Sequence, residues 1–347
     1  MYIFLKLYYN DATVFYTFYA SIQNTWIGRN CMKRMVKTLA LLASLAVAAS
    51  VSACKNLAGG NGTGGGETAS AIIEFGRWPQ SKKADSVTVD ESDSEVVGMF
   101  TYYKGSDGEQ YAKVSSDYYK VEPIKWRVLT NNYNGNKLLL AECALMPVQY
   151  YDNASQRTID SDTVYANNYK HSKVRAWLNG IAYKKGSADN EEYNGKGFLQ
   201  TAFTTDEQGK INNTTVDNSA ESTNPDGDAT LWNSGSNQYA CENTSDKIFL
   251  LSEKEATTES YGFAKYNVYI RDGNGTTESA RRIIPTEFAV AHGADKDNST
   301  GGSHWWLRSP YYDPETIACF IHAGGNASGS IPVFMSIGVV PALSIAP

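Results

Sequence analysis

Two short apolar frames near the C-terminus constrain this chain more than any other feature. They are Trp305-Trp306-Leu307-Arg308-Ser309-Pro310 and Gly338-Val339-Val340-Pro341-Ala342-Leu343-Ser344-Ile345. Each is β-rich and too short for a core helix, so both are expected to be strands. Between them run Tyr311-Tyr312-Asp313-Pro314-Glu315-Thr316-Ile317-Ala318-Cys319-Phe320-Ile321-His322 and a Gly-rich stretch from Ala323 to Ser330. Tyr, His, Asn and Ser crowded on a turn-rich surface make binding contacts at low entropic cost. The pattern predicts recognition before chemistry.

The 347 residues are 42% hydrophobic, enough to bury a core. The 23 Tyr against 12 Phe suit a β-rich protein with a hydrogen-bonding surface. A formal net charge of -6, with no basic stripe, argues against nucleic acid as a partner. Of the five cysteines, Cys143, Cys241 and Cys319 fall in the body of the chain. An odd number predicts that at least one is free or pairs with another molecule. No Cys-x-x-Cys spacing offers a structural zinc site.

Met32-Lys33-Arg34-Met35-Val36-Lys37 followed by the apolar run Thr38 to Ser50 reads as a secretory signal. It ends in Val51-Ser52-Ala53-Cys54, which resembles a bacterial lipobox. Residues 32–53 are therefore expected to be a lipoprotein signal peptide, with Cys54 the lipidated residue. Residues 54–70, Gly-rich after that cysteine, are expected to form a flexible tether. Translation is expected to start at Met32 or Met35, with residues 1–31 an upstream segment assigned in error.

From Ala71 to Pro347 no second linker appears, and a single domain is expected. Ile72 to Gln80 starts as a strand and is expected to stop at Pro79. Short strands are expected between Val87 and Tyr119, around the Gly105 to Gly108 turn. Ile124 to Leu129, the turn Asn134-Gly135 and Lys137 to Ala141 form a hairpin signal. Val174, Trp177, Leu178 and Ile181 recur at helical spacing behind Ser172, which predicts a capped amphipathic helix. A short helical or packed segment is expected at Phe198–Phe203, and a short helix in Pro285–Ala291. Residues 212–246 read as a long polar loop, and Ser252 to Glu255 as a capping box. Strands and helices without a βαβ rhythm predict an α+β fold.

The usual signatures of chemistry are missing from the sequence. None of His171, His292, His304 and His322 has metal-ligand spacing, and no Gly-x-Ser-x-Gly elbow is present. Neither Asp295-Lys296-Asp297-Asn298 nor Asp226-Gly227-Asp228 matches an EF-hand calcium loop. Trp126, Trp177, Trp305 and Trp306 lie in periodic apolar segments and are expected in the core. Arg308 is expected to pair with a carboxylate or with backbone carbonyls under the surface loop.

Several spaced segments together resemble a known group. They are Phe75-Gly76-Arg77-Trp78-Pro79-Gln80, Ile124 to Leu129, Leu138 to Glu142, Arg175-Ala176-Trp177-Leu178-Asn179, Ala202-Phe203, Ile248 to Ser252 and the two C-terminal frames. This set resembles bacterial secreted proteins with a C-type-lectin-like fold of the formylglycine-generating-enzyme type, in particular the variable lipoproteins diversified by a retroelement. The resemblance covers nearly all of residues 71–347. It implies a scaffold that stays constant while ligand-face side chains change within about residues 305–347. It assigns the contacts to Tyr311, Tyr312, Asp313, Ile317, Cys319, Ile321, His322, Asn326 and Ser328. From Ser309 to Phe334, Glu315 is the only residue of a type that adenine-replaced Asn codons cannot give.

These readings predict a lipoprotein on the bacterial surface, anchored to the outer membrane, with no cofactor, that binds a protein or glycan ligand. The rival expectations are a cysteine-dependent oxidase or glycan-acting enzyme of the same fold, and a calcium-dependent sugar-binding module. The three body cysteines match no spacing of the enzyme's site, so catalysis is not expected.

Overall fold

The computed structural model describes residues 6–9, 12–15, 71–186, 188–224, 238–265, 279–327 and 329–347. The chain divides into two units, residues 1–52 and 53–347. In the first, Lys6–Tyr9 and Ala12–Phe15 pair antiparallel. Cys54 and the tether lie outside the described residues. None of the described helices is long and apolar enough to cross a membrane.

The second unit is sheet-rich with few short helices, an α+β arrangement. Its strands are β1 (Ile72–Lys82), β2 (Val89–Val97), β3 (Phe100–Gly105), β4 (Gln110–Val114), β5 (Asp117–Tyr133), β6 (Asn136–Ala141), β7 (Met146–Gln149), β8 (Ile248–Phe249), β9 (Trp305–Pro310), β10 (Ile317–Ile321), β11 (Gly329–Pro332), β12 (Ser336–Val339) and β13 (Ala342–Ile345), with shorter pairs between them. One sheet runs in the order β8-β13-β6-β5-β4-β3-β2, with β1 also on β5. The other runs β7-β12-β9-β10-β11.

The predicted hairpin is β5 to β6, closed at Tyr133↔Asn136. Asn134 and Gly135 both take positive φ, 52° and 80°, which a two-residue turn with the strands' own twist requires. The expectation that β1 stops at Pro79 is corrected. The strand continues to Lys82 through a register irregularity after Pro79. A bulge tolerates a residue without N–H. Here Gln80 bridges it, its side-chain amide donating to the carbonyls of Glu122 (3.1 Å) and Pro123 (2.9 Å).

The predicted amphipathic helix spans Lys173–Asn179. Ser172 accepts from the Arg175 N–H, and Gly180 ends the helix at φ 64°. Its buried face meets an aromatic core in which Trp78 lies 5.9 Å from Trp177, 5.0 Å from Phe198 and 5.3 Å from Phe100. Short helices also form at Phe198–Ala202 and Glu287–Ala291. Residues 212–246 are only partly a loop, because Thr214–Val216 pairs with Thr244–Asp246. The polarity that suggested a loop has an internal use, since buried Asp246 holds the Arg175 guanidinium at 2.8 Å. Residues 225–237, with Asp226 and Asp228, lie outside the described residues.

A doubled corner joins the two sheets. β6 leaves the first sheet at Ala141 and the chain enters the second as β7. Beside it β12 leaves the second and re-enters the first as β13. The corners are bonded to each other, Ala141 N–H to Pro341 O (2.9 Å) and Leu145 N–H to Val339 O (3.0 Å). The second apolar frame is therefore a crossing between sheets. The first, β9, lies centrally in the second sheet.

Candidate functional site

β9 is buried along its whole length. Trp305 and Trp306 are fully buried, and their indole N–H groups donate to Arg281 O (3.1 Å) and Val148 O (2.7 Å). Burying an indole is favourable when its polar atom finds a partner. Arg308 finds both kinds of partner expected of it. It pairs with the Glu255 carboxylate and donates to Leu250 O at 2.9 Å. Glu255 is also half of the predicted capping box, accepting from Ser252 N–H (2.8 Å) while its own N–H donates to Ser252 Oγ (3.1 Å). It accepts the Tyr133 hydroxyl at 3.1 Å as well.

Two loops project from this floor. Residues 311–316 connect β9 to β10, and residues 322–328 connect β10 to β11. Side chains from elsewhere in the fold hold the main chain of both. Asn167, fully buried, donates its amide N–H groups to Ile317 O (3.0 Å) and Tyr311 O (3.3 Å), and its backbone N–H to Glu315 O (3.0 Å). Arg281, also buried, donates from Nε to Gly325 O at 2.8 Å. The Thr300 hydroxyl donates to Ala323 O at 3.2 Å. Inside the second loop, His322 N–H donates to Asn326 O (2.9 Å) and Gly325 N–H to His322 O (2.7 Å). Gly325 takes φ 94°, where a side chain would be strained. None of these bonds depends on the side chains of residues 311–326.

The structure divides the residues assigned from the sequence. Asp313 is exposed, while Tyr311, Tyr312, Ile317, His322 and Asn326 are half-buried at the surface. The Tyr311 and Tyr312 rings lie 4.4 Å apart. Cys319 and Ile321 are buried, at 3% and 0% exposure, because β10 has a neighbour on each edge and packed layers on each face. As placed they lie behind the surface residues of the loops. Ser328 lies outside the described residues.

Two kinds of residue escaped sequence reading. Phe334 and Met335 are 42% and 43% exposed in the turn after β11. The pairing of Ile317 with Pro332, and Val333 N–H to Thr316 O (3.0 Å), bring that turn beside the first loop. An adjacent Phe-Met pair in a turn bounded by Pro332 was the available signal. The clamps Asn167, Arg281 and Thr300 gave none, since they are far from the loops in sequence.

The acidic segment considered for calcium has internal partners. Asp295 pairs with His304 Nδ1 and accepts the Ser303 hydroxyl at 3.0 Å. Asp297 accepts from Ser299 and Thr300. The His304 ring packs 5.2 Å from Phe320, which lies 4.6 Å from His322. Cys143 is disulfide-bonded. Cys241 is a half-buried free thiol, pushed up by burial, the opposite of the electropositive exposure that activates a cysteine.

Residues 134–347 match the model of a family described as Domain of unknown function (DUF6273), and the chain belongs to that family. The matched span opens at the hairpin turn before β6 and takes in the clamps, the doubled corner and both loops. No curated protein and no solved structure matches the chain.

Proposed function

We propose that this chain is a surface-displayed lipoprotein that binds a protein or glycan ligand through Tyr311, Tyr312, Asp313, His322 and Asn326. In this reading the scaffold is C-type-lectin-like, of the formylglycine-generating-enzyme subclass, and Cys54 carries the lipid anchor. The observation that supports it is the main-chain clamping of both loops. Asn167, Arg281 and Thr300 grip carbonyl oxygens, which every residue type supplies, so loop side chains are replaceable without loss of the loop. Such a construction suits a face whose residues are diversified while its backbone is constant. The exposed Phe334 and Met335 extend the face with apolar area of the kind that marks interaction sites.

Sequencing the 3′ end of the gene in sister isolates tests the diversification. Variation confined to codons between Trp306 and Gly338, beside a near-copy repeat, is the expected result. Variation spread evenly over residues 71–347 would sink it.

A further inference from the structure

The candidate face carries carboxylate charge and no Lys or Arg. From Ser309 to Pro347 the sequence contains Asp313 and Glu315 and no basic residue apart from His322. Asp313 is exposed and Glu315 half-buried, and among the described residues neither carboxylate makes a hydrogen bond or ion pair. Three cations are engaged with other groups, while half-buried Arg282, whose side chain adjoins Gly302 near the second loop, leaves its Nε without a partner. Lys170 pairs with Glu242, Arg157 donates to Lys184 O and His171 O, and Arg308 is buried against Glu255.

Two tyrosine pairs lie on the segments that meet at this loop. Tyr311 and Tyr312 form one pair, and Tyr165 and Tyr239 form a second with centroids 4.8 Å apart. The Tyr239 phenol is pushed up, first by burial, and Glu315 and Asp313 push it in the same direction. Beneath the loop sits a third unfilled acceptor. Asn167 is fully buried with its amide turned to this loop, both bonds run from its nitrogen, and its Oδ1 has no partner. The unfilled groups at the first loop itself are the two carboxylates and Asn167 Oδ1, all acceptors, while Arg308 Nε below it and Arg282 Nε near the second loop are buried donors without a partner.

Carboxylates beside tyrosine rings complement a guanidinium or ammonium, which can lie over a ring and donate to the acid at once. An anionic ligand meets repulsion on the same surface. The geometry points to a cationic protein segment, with exposed Arg or Lys, as the partner of this face. The inference rests on the reading that the face binds at all, and it excludes acidic glycans.

The test uses the full chain with labelled polyarginine and polyglutamate, followed by fluorescence anisotropy across a salt series. Polyarginine is expected to bind and to weaken with salt, and polyglutamate to show no binding. The double variant Asp313→Asn/Glu315→Gln should lose about tenfold in polyarginine affinity. A matched control, Asp93→Asn/Glu95→Gln on exposed β2, removes the same charge elsewhere and should change little. Equal losses in both double variants would mean diffuse attraction to an acidic chain and would overturn the inference. Tyr312→Ala separates the two claims. If it abolishes binding while Asp313→Asn/Glu315→Gln does not, the face binds but not through cation recognition. If no variant changes binding, the face reading fails with it.

Discussion

At the scale of single residues, burial decides which side chains are structural and which are free to act. Arg308 is 2% exposed and depends on Glu255 for charge compensation. Arg308→Leu would leave the Glu255 carboxylate without its cation under the loop, and a loss of about 3–5 kcal/mol is expected in urea denaturation. Trp306→Ala removes a fully buried ring and strands the Val148 carbonyl, and should cost about 3–5 kcal/mol by the same measurement. Tyr312→Ala, at a half-buried surface position, should leave the denaturation midpoint nearly unchanged. The sequence made the tryptophan and arginine assignments legible, because a Trp-Trp-Leu-Arg run between strands has to bury its rings and partner its charge. It could not separate Cys319 and Ile321 from Tyr312 and His322. Local residue types do not reveal that β10 is covered on both faces, as its run of consecutive buried residues shows.

At the scale of elements, loop geometry is fixed by main-chain contacts that leave little room for change. A Cβ on Gly302 would lie 2.0 Å from Ala323 O, a backbone atom that cannot swing aside. Gly302→Ala should therefore push the second loop off its clamp. Faster amide exchange at residues 322–326, with β1 to β6 unaffected, is the expected reading. The neighbouring turn is held by Asp297, whose carboxyl is drawn from 3.8 to about 2 by hydrogen bonds from Ser299 and Thr300. A depressed folded value means that its stabilisation is present above the unfolded value and is lost as pH falls through the folded one. Protection at residues 298–302, taken relative to the intrinsic exchange rate at each pH, should fall as pH drops from about 4 to about 2. Asp297→Asn should flatten that response, and an unchanged profile in the variant would refute the assignment. Elements with a local cause were readable in the sequence, as the Asn134-Gly135 hairpin and the helix capped by Ser172 show. The strand through Pro79 was not, since the glutamine that bridges its bulge acts on residues about forty positions away.

At the scale of the whole molecule, two sheets joined at a doubled corner present two loops whose main chain is held by the scaffold and which carry both surface side chains and buried ones, Ala323 and Ala327 among the latter. Sequence reading marked the interval between the frames as one turn-rich surface, and missed the buried strand β10 that divides it into two loops. It gave no sight of Asn167, Arg281 and Thr300, which meet the loops only after the chain has folded.

The central claim is that this face tolerates replacement because distant side chains hold its main chain. Thermal or urea unfolding of two variants tests it directly: a combined Tyr312→Ser/Asp313→Asn/Asn326→Tyr chain, and Asn167→Ala. Three face substitutions together should shift stability by less than about 1 kcal/mol. The single clamp substitution should cost about 1–3 kcal/mol by leaving the Tyr311 carbonyl without its Asn167 donor and the Ile317 carbonyl with the Tyr311 N–H alone. A triple variant that unfolds more readily than Asn167→Ala would contradict the account.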